Sequence, residues 1–470
     1  MVIGTLADTL GRGIEGITNG VSAALFEPVI RLGVTGLSRA GKTVFITSFV
    51  ANLLDPGRMV GLEAARAGRI EAAFLQPQRD DTMPRFDYET HLAAMTGQTP
   101  QWPVSTRGLS ELRLSLRFRP KGLLAGLSGA RTLHIDIVDY PGEWLLDLGL
   151  LDLDFAAWSA QSLRRAETRA EAGAYLDLLN TIDPAARFDQ SVATTLAGTW
   201  TAYLRDARAA GYSDATPGRF LLPGDLEGSP ALTFAPLKPS DAPRGSLARE
   251  CARRFEAYKT RIVKPFFRAH FARIDRQIVL IDVLGTIHAG PRAVADMHQT
   301  MTAILATFRP GRNAFLSSVL GKRIDRILFA ATKADHVHHT QHDRLTAITD
   351  VLVTAARRRA DFTGATTQAM AIAALRTTVE ETRTINGQSI DLVRGTLLET
   401  GCPAALHPGD LPTNPTVLLT PEQTGMDQWL DGDYGVMRFA PAPLSLRTGE
   451  GPPHIRLDQA AEFLIGDKLR

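Results

Sequence analysis

Cysteine is nearly absent: Cys251 and Cys402 are the two in 470 residues. Far apart in the chain, they support neither a disulfide framework nor a cysteine zinc site, and a reducing compartment suits them. Charge of one sign is not in excess either. Lys and Arg total 52 against 50 Asp and Glu, a formal +2, too even to predict nucleic-acid or polyanion binding from the global field. Long apolar runs are missing: the longest, Ile278-Val-Leu-Ile-Asp-Val-Leu284, has strand length and carries an acid, whereas a bilayer span needs roughly 18 to 20 residues. The opening Met1-Val-Ile-Gly-Thr-Leu6 holds no basic region or continuous apolar stretch, so the expectation is no signal peptide and a cytoplasmic location. No internal repeat or low-complexity tract is present. With 44 % apolar and 22 % charged residues, the composition is that of a folded globular protein rather than a disordered one. The length corresponds to roughly two or three domains.

Hydrophobic periodicity divides the chain. Over residues 1–26, Ile3, Leu6, Leu10, Ile14, Ile17, Val21 and Leu25 recur at three- and four-residue steps, an amphipathic helix. Gly4, Gly11, Gly13, Gly16 and Gly20 dilute it at about 1 kcal/mol each against Ala, so it needs something to dock on: the protein's own body, or a membrane surface or partner. From Val29 a short apolar run, a loop opening at Gly36 and a helical pattern through Leu54 read as strand, loop, helix. Leu112, Leu114, Leu116 and Phe118 alternate with Arg113, Ser115, Arg117 and Arg119, which predicts a strand with one solvated face at a sheet edge. Leu133–Asp139 reads as a buried strand. Residues 145–275 read as mostly helical, with Leu145–Leu179 and Leu247–Ile274 the firm parts and an ordered loop, carrying six prolines, over 212–244. Strand and helix alternate again over 276–378, and from 379 to 470 short β-like runs lead to a closing helix at Leu457–Leu469. The alternation predicts an α/β fold built on a parallel, doubly wound sheet. It is divided into residues 27–144 and 276–378, with a large helical insertion between them (145–275) and a β-rich C-terminal addition (379–470).

Three motifs fall where this fold needs them. Gly36-Leu37-Ser38-Arg39-Ala40-Gly41-Lys42-Thr43 is the phosphate-loop pattern of P-loop NTPases, placed after a strand and opening a helix. Its glycines let backbone N–H groups of Ser38 through Val44 wrap phosphates at a positive helix terminus, Lys42 reaches the terminal phosphates, and Thr43 can ligate Mg²⁺. Asp139-Tyr140-Pro141-Gly142 ends a strand with a carboxylate able to hold Mg²⁺ through water, followed by a glycine N–H for a γ-phosphate. Asp282-Val-Leu-Gly285 has the same spacing but suits the next strand of the sheet, and is assigned a structural role. Thr332-Lys333-Ala334-Asp335 is the base-recognition pattern of GTPases. A carboxylate at Asp335 accepts from guanine N1–H and N2–H₂ but opposes the N1 acceptor of adenine, and sites built on such bonds reject the wrong base strongly. Lys333 is expected over the base, bracing the phosphate loop.

Further candidates are less distinctive. Thr106, which precedes the alternating strand, is the candidate switch threonine for Mg²⁺. Ala373-Ala374-Leu375-Arg376 stands where a Ser-Ala-Lys loop touches guanine O6; the serine and lysine are missing, but backbone N–H groups at Ala374 and Leu375 can make that contact. For hydrolysis, Glu143 follows Gly142 where many small GTPases carry a water-orienting Gln, and Arg39 and Arg107 are candidates for positive charge supplied in cis. A carboxylate beside a γ-phosphate requires pairing or distance, so turnover is expected to be slow. His336, His338, His339 and His342 are read as a solvated loop and helix start rather than a metal site.

With these residues placed, the chain resembles the YcjX-like family of bacterial stress-associated P-loop GTPases. The resemblance rests on residues 36–43, Trp102-Pro-Val-Ser-Thr106, Asp139-Tyr-Pro-Gly-Glu-Trp144, Phe220-Leu-Leu-Pro-Gly-Asp225, Thr332–Asp335, Pro453-His-Ile-Arg-Leu-Asp458 and Phe463–Leu469. It implies a Ras-like GTPase domain with helical and β-rich additions, GTP/GDP and Mg²⁺ as ligands, and a role in cell-envelope or heat stress. It names no effector. The expected activity is a regulatory GTPase; an ATPase coupled to stress remodelling and a scaffold around a structural nucleotide remain the alternatives.

Overall fold

The computed structural model describes residues 27–36, 40–104, 108–121, 129–306, 324–362, 364–385, 387–419, 437–444 and 446–470. The helix expected over 1–26 lies outside them, as do Ser38, Arg39, Thr106 and Arg107.

A seven-stranded sheet forms the centre, in the order β2-β3-β4-β1-β5-β6-β7. The strands are β1 (Val29–Gly36), β2 (Ile70–Gln76), β3 (Ser110–Phe118), β4 (Arg131–Asp139), β5 (Arg276–Ile281), β6 (Arg326–Ala331) and β7 (Thr366–Ala371). The pairings β4–β1, β1–β5, β5–β6 and β6–β7 are parallel, while β2–β3 and β3–β4 are antiparallel. This is a mixed α/β architecture with a parallel-dominated sheet, of the kind P-loop GTPases are built on.

Continuous apolar runs in β5 and β6 follow from burial on both faces. Ile278, Leu280, Leu328 and Ala330 join one core, with the helices Lys42–Leu54 and Leu457–Ile465. Their neighbours Val279, Ile281, Ile327, Phe329 and Ala331 join a second core, which extends into the helices of the 145–275 region. The closing helix thus covers the same face of the sheet as the helix after Gly41, although residues 55–456 intervene in sequence. Part of that stretch is a separate antiparallel sheet of β8 (Val379–Ile385), β9 (Gln388–Thr396) and β10 (Pro403–Leu406), ordered β10-β9-β8.

Two expectations change. The alternating strand β3 is not the sheet edge: β2 pairs outside it. Its polar residues Glu111, Arg113 and Ser115 also face protein rather than water, while Arg117 and the following Arg119 stay exposed as expected. Arg113 makes a two-pronged ion pair with Asp136 at 2.6 and 2.7 Å, both side chains being buried, and buried Glu111 meets Arg31 at 2.9 Å. Alternation marks an exposed face only where the polar residues lack partners in the fold, and here β4 supplies one for Arg113 and β1 one for Glu111. The helical stretch expected from Leu145 is also broken into a turn at Glu143–Leu146, a 3₁₀ segment at Asp147–Asp152 and a helix at Phe155–Ala166. Asp154 caps the last of these, accepting from Ala157 N at 2.7 Å. The proline-rich 212–244 stretch buries Phe220, Phe234, Ala235 and Leu237 in that second core.

Candidate functional site

The carboxyl ends of β1, β4, β5, β6 and β7 carry the residues singled out in the sequence, as expected for ligand sites in open α/β sheets. Val34 of β1 stands in register with Asp139 of β4, so the start of the phosphate loop and the β4 carboxylate share one edge. Gly36 cannot be anything larger: a Cβ there would lie 2.8 Å from the Leu280 carbonyl and 3.0 Å from Ala40 Cβ. Gly41 adopts φ 78° and precedes the helix Lys42–Leu54 without a side-chain cap. The first N–H groups of that helix are therefore available to an anion. Lys42 Nζ donates to the Gly36 carbonyl at 3.2 Å, folding back over the loop, and Thr43 is buried. An uncapped helix start, a lysine above it, and the hydroxyl and carboxylate of Thr43 and Asp139 fit a magnesium-bound phosphate chain. Ala40 is buried and Val44 is half-buried on the first turn.

The base-recognition segment follows β6. Thr332 N and Oγ1 both donate to the Ile281 carbonyl, at 2.9 and 3.3 Å, and Ala334 N donates to the Ile372 carbonyl at 3.0 Å. These bonds tie the turn to β5 and to the end of β7. Lys333 has a left-handed φ of 61°, a conformation that costs a non-glycine residue about 1–3 kcal/mol and clusters at functional sites. Its Nζ pairs with Asp282, whose other oxygen accepts from Gly285 N at 3.0 Å. Asp282 thus both caps a short helix and holds the lysine expected over the base.

Asp335 is 3 % exposed. Its Oδ2 accepts from both N and Oγ1 of Thr377 at 2.8 Å, and Thr378 Oγ1 bonds to its carbonyl. Sequence reasoning missed these two threonines because it looked for a serine at Ala373. The available signal was the adjacent pair of hydroxyls just past β7. Ala374 and Leu375 lie in that same loop, where Ala373 N donates to the Ile455 carbonyl at 3.0 Å and Arg376 N to that of Pro453 at 2.8 Å. The closing Pro453–Ile455 segment therefore backs the base side of the site.

His336, His338 and His342 are buried rather than solvated. His342 Nε2 lies 2.9 Å from the Ala334 carbonyl, which holds the turn from behind. Burial lowers the pKa of both His336 and His342, keeping them neutral beside Asp335.

Gly142 begins a turn that packs largely against residues of the 145–275 region. Glu143 is 3 % exposed, with Oε1 3.6 Å from Arg208 Nη1, so its charge is paired. Trp144 is covered by the Arg219 guanidinium, 3.3 Å from the ring centroid, and meets Phe266 edge-on at 5.2 Å. Gly218 packs directly on the Glu143 backbone, where a Cβ would collide with the carbonyl, and its N–H donates to Asp147 Oδ1 at 2.7 Å. Tyr258 OH donates to the other oxygen of Asp147. Full burial pushes the Asp147 carboxyl up to about 7 despite these bonds. None of Arg208, Gly218 and Arg219 could be chosen from sequence, since each is far from Gly142 along the chain and carries no motif.

Among known proteins, the chain matches the YcjX-like family over residues 30–469. It is 38 % identical over 456 residues to the Ras-like GTPase YcjX of Escherichia coli strain K12, an alignment covering 94 % of this chain and 96 % of that protein. The Ras-like GTPase YcjX of Shewanella oneidensis is 36 % identical over 472 residues, with 94 % of each chain covered.

Proposed function

The chain belongs to the YcjX-like family, and from that premise we propose that it is a Mg²⁺-dependent GTP-binding protein that hydrolyses GTP slowly and acts as a regulatory switch in a bacterial stress or envelope response. The observation that carries the nucleotide assignment is the buried Asp335 carboxylate, held by Thr377 at the end of the sheet that also bears the phosphate loop. A carboxylate so placed accepts from the two donors on the guanine edge and opposes the N1 lone pair of adenine.

Gly36, Ser38, Arg39, Ala40, Gly41, Lys42, Thr43 and Val44 bind the phosphates through backbone N–H groups and the Lys42 ammonium. Thr43, Asp139 and Thr106 hold Mg²⁺, which when bound neutralises charge on the β- and γ-phosphates. Thr332, Lys333 and Asp335 bind the base, with Ala374 and Leu375 on its O6 side. Gly142 senses the γ-phosphate. Glu143, paired with Arg208, is poorly placed to deprotonate or orient water, which supports slow turnover; Arg39 and Arg107 remain the proposed sources of transition-state charge. Peripheral membrane contact is proposed for residues 1–26.

The test is equilibrium affinity for GDP, a GTP analogue and an ATP analogue with Mg²⁺, on the wild type and on Asp335→Ala. Guanine preference of about a hundredfold or more, lost in the variant, is the expected result. Equal ATP and GTP affinity, indifferent to the substitution, would overturn the GTPase reading in favour of an ATPase. Tight GDP that neither exchanges nor turns over would make the nucleotide structural.

A further inference from the structure

We propose that His338, His339 and Glu380 bind one divalent transition-metal ion of the zinc class, fastening the loop that carries Asp335 to the sheet of β8 and β9. One ligand atom from each of the three residues lies within 4.8 Å of the others. Among the described residues this is the group of His, Cys, Asp and Glu gathered closely enough to hold an ion.

The arrangement has the parts that a metal site needs and a plain ion pair does not. The two imidazoles lie side by side, ring centroids 4.3 Å apart, with both turned toward the same carboxylate oxygen. His339 Nδ1 is 2.7 Å, and His338 Nε2 3.9 Å, from Glu380 Oε2. The other nitrogen of His338, Nδ1, lies 3.0 Å from Thr340 Oγ1 and 3.3 Å from Asp391 Oδ2. A carboxylate behind a ligating imidazole fixes its tautomer and ring orientation, leaving the far nitrogen's lone pair for the ion. Asp391 is itself held, accepting from Thr382 Oγ1 at 3.0 Å. Thr382 stands opposite Asp391 in the β8–β9 ladder, and Glu380 is two residues before Thr382, so both carboxylates project from one face of the sheet.

The donor set chooses the metal. Two imidazoles and a carboxylate suit zinc and its neighbours, whereas Mg²⁺ prefers an all-oxygen octahedron, so the ion is distinct from the one proposed at the phosphates. Three protein ligands leave a fourth position for water, which the exposure of His339 permits: its side chain is 65 % exposed. His338 is three residues after Asp335 and Glu380 three after Thr377. An ion joining them therefore closes a clasp around the bond between Asp335 and Thr377.

The full chain, stripped of metal by a chelator and returned to excess Mg²⁺, is titrated with Co²⁺ and Zn²⁺ in the absence of nucleotide. The expected result is one Co²⁺ per chain with the visible absorption of a four-coordinate ion, displaced by Zn²⁺. Either His339→Ala or Glu380→Gln should weaken Zn²⁺ binding at least tenfold. Both positions are at least partly exposed, so neither variant endangers folding. Absence of the Co²⁺ spectrum, or a spectrum unchanged in both variants, overturns the proposal. Since no nucleotide is present, failure here is separate from failure of the GTPase reading.

Discussion

Thr377 offers a sensitive probe of the base site, because its hydroxyl touches nothing that an adenine nucleotide would use. Thr377→Ala deletes the Oγ1 bond to Asp335 Oδ2 and keeps the N–H bond to the same oxygen, both 2.8 Å long. A hydrogen bond to a charged group contributes about 1.5–3 kcal/mol. In the nucleotide-free protein water can enter the space left by the hydroxyl and recover part of that. Once a base covers the site, water is excluded and the carboxylate bears the full loss. The difference falls on guanine binding. At about 1.4 kcal/mol per factor of ten, GDP affinity should drop roughly tenfold while affinity for an ATP analogue stays level. Thr377→Ser, which restores the hydroxyl, should bind GDP as the wild type does. Titration of a fluorescent GDP analogue, with thermal melting to confirm folding, reads all three proteins. If Thr377→Ala binds GDP like the wild type, or weakens GDP and ATP equally, Thr377 does not position Asp335 for guanine.

Asp147 makes stability depend on pH. Its carboxyl titrates near 7 in the folded chain against about 3.9 unfolded, so the folded state holds the extra proton and stability falls as pH rises from about 4 to 7. About three units correspond to about 4 kcal/mol; urea midpoints of Asp147→Asn should lose less over this window, and a constant gap from the wild type would refute the assignment. Arg113→Ala strands the buried Asp136 carboxylate and should cost about 3–5 kcal/mol in urea unfolding, while nucleotide selectivity of the folded fraction is unchanged. Arg219→Ala removes the guanidinium from the Trp144 ring, a contact of about 0.5–2 kcal/mol. The 145–275 region should then be cleaved by protease at similar rates with GDP and with a GTP analogue, where the wild type differs between them. A wild type that shows no difference would sink the coupling itself.

Sequence made the central sheet legible where physics is local. Buried parallel strands such as Ile278–Ile281 announce themselves by unbroken apolar runs, and the phosphate loop by a spacing that few other structures need. What stayed hidden was pairing across distance. Arg113 and Asp136 look like solvated charges until the sheet sets β3 beside β4. β2, Ile-Glu-Ala-Ala-Phe-Leu-Gln, lacks a clean two-residue alternation, and its pairing with β3 could not be read locally. His336, His338 and His342 read as solvent-facing until the turn after β6 folds under them. Thr377 was overlooked for a similar reason: the hydroxyl that meets Asp335 comes later in the loop than in the pattern used to search for it.

The placement of the 145–275 region bears directly on the proposed switching. Two residues, Glu143 and Trp144, separate the glycine proposed to sense the γ-phosphate from Leu145, which belongs to a buried core. Glu143 is pressed by Gly218, Trp144 is held between Arg219 and Phe266, and Asp147 is bonded to Gly218 and Tyr258. Moving Gly142 toward a phosphate must carry these contacts along or break them, since a close-packed interior does not stretch. Burying a large side chain contributes about 1.5–3 kcal/mol, and the cation over its ring about 0.5–2 more. Together they come to about 2–5 kcal/mol, below the roughly 5.5 kcal/mol that takes a two-state equilibrium from 1:99 to 99:1. In the proposed switch, the Trp144 seat would bias the chain to one conformation and a γ-phosphate contact of similar strength would overturn it. That balance suits a switch better than a scaffold, which would have no need to route its phosphate sensor through the core of a second group of helices.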